Sequence, residues 1–417
     1  MNPRRILLVS YFYPPCRDTG AHRPASLAKY LRRAGHDVTV LTTSAYGSMP
    51  GPDEAGIERT ADAQLWRARI RGADHVDALF DSDTYSGRPH PLSKLIVPEP
   101  LALAWTPFAR HRARALQHQT PFDCVITTSP PESAHSVGVG LRRRGAAWVA
   151  DVRDAWTFEP LRPPFPTAAQ RHLDERMERR VLGGADVVVC VSEPAAADLR
   201  ARGIADPLLV RNGADPELLG AADPASVAGL LDPDRVSLVY TGRFGSTGRD
   251  PRGLVEGLRR LAAERPDDAG RLELVIAGPL TEAENELFAT DVAPARISVA
   301  GSFEREGALA LQRAADCLLL VAHPIRSQLA NFKLYEYLSA GRPILALAAG
   351  TEAGTIAREA GSEPVAAGDP VAIAEALAKV ARREIPPPDP DARKEHSYPA
   401  VAERMAAAVE AAVERRG

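Results

Sequence analysis

The stretch Ser327 to Leu347 (SQLANFKLYEYLSAGRPILAL) holds the side chains best suited by type and spacing to bind an anion. Phe332 to Ala340 reads as a short helix, ended by Gly341 and followed by Pro343 and a buried strand. A helix start offers free backbone N–H groups and the positive end of a dipole to a phosphate. Asn331, Phe332, Lys333 and Leu334 stand at that start, and the Lys333 ammonium adds a point charge. Glu336 lies on the same face one turn deeper, where its carboxylate can accept two hydroxyl hydrogen bonds from a ribose. The rival reading is a solvated Lys–Glu pair on an ordinary amphipathic helix. The position after a strand ending at Val321 and a polar loop favours binding. A second anion site follows the strand Ser237–Tyr240, in Thr241 to Arg249 (TGRFGSTGR). Gly242, Gly245 and Gly248 let backbone approach a ligand, and Arg243 and Arg249 join Lys333 in neutralising a diphosphate. That is the charge balance needed to break a sugar–phosphate bond.

The first half offers a third group. The strand Ala147–Val152 carries Asp151, and Arg153, Asp154 and Trp156 follow at its carboxyl end. An Asp–Arg ion pair closing the strand end is the structural alternative. The loop Tyr11 to Arg23 carries Gly20, suited to close backbone contact, and His22 and Arg23 begin a helix. His135 reads as a helix-start residue and not as a base. No Ser-His-Asp or paired-carboxylate arrangement can be read from the spacing.

These residues need elements to carry them. Short apolar runs alternate with amphipathic helical patterns, which is the signature of parallel strands buried on both faces in a βαβ chain. The runs are Ile6–Ser10, Asp37–Thr42, Cys124–Thr127, Ala147–Val152 and Val187–Val191, then Ser237–Tyr240, Leu272–Ala277, Ile297–Val299, Asp316–Val321 and Pro343–Leu347. The turn Asn212-Gly213 and a connector Pro216 to Asp234 divide the chain. The expected domains are 1–215, with a helix of about 398–417 packing back on it, and 216–397. Arg383 to Asp391 is proline-rich and reads as extended.

The chain has 417 residues, 45% of them hydrophobic, enough for two cores. A net charge of −3 implies no general attraction to nucleic acid. The four cysteines form no CxxC pair, and no run is long enough for a signal or membrane span, so a cytoplasmic location is expected. Leu65–Arg71 and Lys94–Arg114 mix basic residues with Trp and Leu. Such a face either touches the inner side of a membrane or is an ordinary amphipathic surface.

The assembled motifs resemble those of a GT-B-fold glycosyltransferase of the retaining family 4, group 1. They are the Pro-Pro…Gly loop after the first strand, AGHDVTVLTT (Ala34–Thr43), VSEPAAADL (Val191–Leu199), RNGADPELL (Arg211–Leu219), YTGRF (Tyr240–Phe244), LVIAGP (Leu274–Pro279) and KLYEYLSAGRPIL (Lys333–Leu345). The resemblance implies an α/β protein of two Rossmann-like doubly wound domains facing a central cleft. It implies transfer of a sugar from a UDP- or GDP-sugar to a glycan, lipid-linked or small-molecule acceptor, with retention and without a metal or other cofactor.

By the same resemblance, Glu336 takes the place of the second glutamate of an ExxxxxxxE motif, while the first falls on Gln328. The Arg of an Arg-x4-Lys pair is Arg243, its Lys falls on Gly248, and Arg249 stands next to it. The donor set is then Gly20, Gly242, Arg243, Arg249, Gln328, Asn331, Phe332, Lys333, Leu334 and Glu336. Asp151, Asp154 and Trp156 are expected at the acceptor, and Arg153, Asp154, Lys333 and Arg243 at the chemistry. With Thr128 to Pro131, the DxRDxW run resembles enzymes acting on bacterial surface or secondary-metabolite sugars. An NDP-sugar 2-epimerase and an inactive sugar-nucleotide-binding relative are the alternatives.

Overall fold

The computed structural model describes residues 2–49, 51–70, 74–76, 94–245 and 248–416. Arg71 of the first basic segment, and Ser246 and Thr247 of the glycine loop, lie outside the described residues. The chain divides into two compact units, Met1–Arg211 with Val401–Gly417, and Asn212–Ala400.

The first unit is built on a seven-stranded parallel sheet. Its strands are β1 (Arg5–Val9), β2 (Asp37–Thr43), β3 (Ile57–Thr60), β4 (Cys124–Ser129), β5 (Ala147–Val152), β6 (Val187–Cys190) and β7 (Leu208–Leu209). They lie in the order β3-β2-β1-β4-β5-β6-β7. The order reverses at β1, and a crevice opens outside the carboxyl ends of β1 and β4 at such a reversal. The second unit has β8 (Val236–Thr241), β9 (Leu272–Ala277), β10 (Arg296–Gly301), β11 (Cys317–Val321) and β12 (Ile344–Leu347), in the order β10-β9-β8-β11-β12. Its reversal falls between β8 and β11. Alternate residues of these strands enter two different cores: Leu238, Tyr240 and Leu319 face one side, Val239, Leu318 and Leu320 the other. Burial on both faces is why the strands read as continuous apolar runs.

Two short edge strands, β3 and β7, are additional to the expected runs. The segment expected as a plain connector is a correction. It holds the helix Pro216–Ala221 and a 3-10 helix, Pro224–Leu230. Asp215 and Asp223 cap them by accepting from the N–H of Glu217 (3.0 Å) and of Ala225 (2.9 Å). Each Asp-Pro step is an N-cap followed by proline at the first helical position, a start signal in its own right. The proline-rich segment likewise ends in a helix, Pro390–Glu395, capped by Asp389. The closing helix Tyr398–Glu414 begins in the second unit, and from Val401 it belongs to the first. There Arg4 forks onto the Glu410 carboxylate at 2.7 and 2.9 Å. Among the described residues no helix is long and apolar enough to cross a membrane.

Candidate active site

In the second unit, both switch-point strands deliver their candidates to one place. β8 runs into Gly242, whose φ of 130° suits glycine alone. Its N–H donates to Ala277 O at 2.7 Å. A Cβ on Gly242 would collide with the end of the Lys333 side chain, so the missing methyl is the space the lysine occupies. Arg249 closes the glycine loop back onto β11 by donating to Val321 O at 2.9 Å. The Tyr240 hydroxyl donates to Arg243 O at 2.6 Å, fixing the turn at Arg243.

The helix Phe332–Ala340 starts where the sequence places it. Asn331 is extended and its side chain accepts from Leu334 N at 3.1 Å. Gly341, at φ 67°, ends the helix. The cap corrects one expectation. The Leu334 N–H is committed to Asn331 and its side chain is fully buried, so Leu334 offers a ligand nothing. Asn331 acts through the cap, and Phe332 carries the Arg305 guanidinium 5.6 Å above its ring.

Among the described residues, Lys333 makes no hydrogen bond or ion pair. Burial lowers its pKa, Glu336 opposes that, and Arg249, Arg243 and Arg305 lower it further. Four cations therefore share one neighbourhood, and Glu336 is the carboxylate that acts on Lys333. Such an excess of positive charge, partly withdrawn from water, calls for an anion. Glu336 is buried and held at both oxygens, by Arg305 at 3.0 Å and by the Gln312 amide at 3.3 Å. The same Gln312 amide donates to Thr241 Oγ1 at 3.0 Å. Gln328 is buried too, and its amide nitrogen has no hydrogen-bond partner among the described residues.

Arg305, Gln312 and His323 escape sequence reasoning. Arg305 sits just past the end of β10, a place worth searching in any parallel sheet. Gln312 looks like a solvent residue on an amphipathic helix, and nothing in the sequence marks it. His323 Nδ1 accepts from the N–H groups of Ile325 and Arg326, both at 3.0 Å, which leaves Nε2 beside Gly248.

In the first unit the candidates turn inward. Asp151 is fully buried; Arg23 donates to its two oxygens at 2.8 and 3.0 Å, and Thr128 to one of them at 2.9 Å. Arg23 also donates to Val210 O (3.0 Å) and Arg211 O (3.1 Å). Asp151 is thus a structural anchor, which corrects its assignment to the acceptor. Trp156 is corrected likewise: it is buried, and its Nε1 donates to Asp174 at 3.0 Å. Arg153 spends its guanidinium on Ser129 O (2.8 Å), Pro130 O (3.1 Å) and Gly20 O. It positions the loops after β1 and β4 and is not free for chemistry. At Gly20 a Cβ would stand 2.9 Å from the Asp18 carboxylate that caps its N–H. Asp154, partly exposed at the end of β5, is the acidic residue of this group still open to solvent.

His135 is fully buried, with Nδ1 2.8 Å from the Thr127 hydroxyl, and burial holds its pKa down to about 4. The folded state therefore favours neutral imidazole. This stability is complete above the ordinary value near 6.5 and is lost as pH falls toward 4, amounting to about 2 kcal/mol at pH 5. All four tryptophans (Trp66, Trp105, Trp148, Trp156) belong to the first unit, so indole fluorescence follows that unit alone. Its urea midpoint is expected to drop between pH 7 and 5, and His135→Asn to remove most of that drop. An unchanged pH dependence in the variant would contradict the assignment.

Two family models match the chain: a glycosyl transferase 4-like domain over residues 19–213, and glycosyl transferases group 1 over residues 235–383. The chain belongs to the group 1 glycosyltransferases. Solved structures agree on the fold of this glycosyltransferase. Sucrose-phosphate synthase from Thermosynechococcus elongatus is 18% identical at a TM-score of 0.59, with 97% of this chain and 98% of that one covered. A trehalose-phosphate synthase (UDP-forming) from Burkholderia vietnamiensis is 14% identical at 0.57, covering 98% and 99%. A putative UDP-N-acetylglucosamine 2-epimerase from Listeria monocytogenes is 15% identical at 0.55, covering 98% and 96%. No curated protein sequence matches the chain.

Proposed function

We propose that this glycosyltransferase moves a hexose-type sugar from a nucleoside-diphosphate sugar, UDP- or GDP-linked, to an acceptor nucleophile in glycan or secondary-metabolite synthesis. The observation that carries the reading is the Lys333 ammonium, seated in the space left by Gly242 among Arg243, Arg249 and Arg305. When the bond between the sugar's anomeric carbon and the β-phosphate oxygen breaks, the electron pair stays on that oxygen. Fixed cations aimed at the diphosphate stabilise this developing charge more than they stabilise the bound substrate. Glu336 binds the ribose hydroxyls, Gln312 keeps its carboxylate oriented, and Gln328 faces the sugar. Asp154 contacts the acceptor. The resemblance to the retaining family supports same-face attack, with the departing phosphate taking the acceptor's proton.

Calorimetric titration with UDP, GDP and dTDP, each alone and as its sugar, selects the donor and tests the site. Glu336→Gln should weaken the preferred nucleotide by about tenfold, the scale of one lost charged hydrogen bond. Equal affinity in the variant would remove Glu336 from the ribose site. The arginines and lysine supply the charge in this reading, so turnover should persist in excess EDTA. The presence of an epimerase among proteins of this fold supports a second test. A 2-epimerase converts its NDP-sugar without an acceptor, and mass-neutral isomerisation with no released nucleotide would replace the transfer reading.

A further inference from the structure

The helix Ala63–Ile70 buries Leu65 and Ala68 and turns Trp66, Arg67, Arg69 and Ile70 to solvent. Trp66 is 54% exposed and Ile70 85%, unusual for residues that contribute so much by burial. Trp66 meets Phe108 edge-on at 6.2 Å, which joins this helix to Thr106–Gln119. One short helix earlier, in Leu101–Ala104, Leu103 is exposed as well. Arg110 and Arg114, one turn apart, stand on the solvent side of Thr106–Gln119. These three helices contain five arginines and neither Asp nor Glu, in a chain whose net charge is −3. Among the described residues only Arg112 of the five has a carboxylate partner, Glu58 at 2.8 Å.

Ordinary soluble surfaces intersperse both signs of charge and keep large apolar groups few. Exposed Trp, Ile and Leu rimmed by arginine, on helices that carry no Asp or Glu, is instead the composition that suits an anionic lipid boundary. We propose that this face docks on the surface of an anionic phospholipid bilayer. Trp66, Ile70 and Leu103 enter the boundary between headgroups and acyl chains, and Arg67, Arg69, Arg110 and Arg114 meet the headgroup phosphates. The inference goes beyond the donor-side reading and stands without it.

Trp105, Trp148 and Trp156 are buried, so an emission change on adding vesicles reports Trp66. With vesicles of about 70% phosphatidylcholine and 30% phosphatidylglycerol, the full chain should co-sediment and its emission shift to the blue. Both effects should vanish with phosphatidylcholine alone and in roughly 0.5 M salt, where the Debye length falls to a few ångströms. Replacing the four exposed arginines by Gln should weaken partitioning by about 600-fold, at roughly fivefold for each cation near the surface. Trp66→Ser with Ile70→Ser should abolish it, and because both residues are exposed the circular dichroism should be unchanged. Failure to bind anionic vesicles, or binding that ignores lipid charge and the arginines, overturns the proposal. So does concentration-dependent self-association that Trp66→Ser removes, which would assign the face to a second copy of the chain.

Discussion

Replacing Lys333 by Ala is expected to lower kcat/KM by about 10² to 10³, the usual loss when one fixed stabiliser of developing charge is removed. The chain folds the lysine into a place where it is costly to keep. Its ammonium is largely withdrawn from water, and Arg249, Arg243 and Arg305 add repulsion. Binding a diphosphate relieves both burdens at once, and more so as charge accumulates on the leaving oxygen. The variant Lys333→Arg keeps the charge, but its planar guanidinium is too broad for the gap at Gly242, so it should restore only part of the activity. Gly242→Ala attacks the same contact from the other side and should resemble Lys333→Ala. The depressed pKa of Lys333 has a definite sign: its charged form is lost at lower pH than for an ordinary lysine. Donor affinity should accordingly decline at high pH, and the decline should disappear in Lys333→Ala. Steady-state kinetics with the preferred donor decide the matter, and kcat/KM within about threefold of the parent would remove Lys333 from the transition state.

Arg23→Ala is expected to destabilise the first unit by about 3–5 kcal/mol, the range for stranding one partner of a buried ion pair. Arg23 and Asp151 are both sealed from solvent, and the fork also satisfies two carbonyls where the chain leaves β7. Asp151→Asn should cost less, because an amide can still accept one of the bonds. Combining Arg23→Met with Asp151→Leu should recover part of the loss but not all, since Val210 O and Arg211 O stay without their donor. Urea unfolding followed by indole emission measures the first unit directly. A loss below about 1 kcal/mol for Arg23→Ala would contradict the account.

Much of the architecture was legible because its strands are buried on both faces, so apolar runs such as Leu272–Ala277 mark them without ambiguity. The Lys333 helix was legible for another reason: its cap and terminator, Asn331 and Gly341, are local signals. The first-unit assignments failed where type could not reveal direction. β5 does carry Asp151, Arg153 and Trp156 to its carboxyl end, but hydrogen-bond partners elsewhere in the chain turn them inward. Asp151 meets Arg23 across 128 positions, and Arg153 meets Gly20 across 133. Gln312 was invisible for the same reason. Its amide gains meaning only from Thr241 and Glu336, which the sheet brings to it.

The second unit is, in chain terms, an insertion. Asn212–Ala400 interrupts a first unit that resumes only at Val401. During synthesis the seven-stranded sheet emerges early, yet the Arg4–Glu410 fork and the bond from Arg415 to Asp186 O wait for the last residues. The sheet, its seven strands made by Leu209, must therefore stand without the closing helix while nearly two hundred further residues are made. A ribosome that stops shortly before Val401 would release a finished second unit attached to an unfinished first one, exposing apolar surface meant for the closing helix.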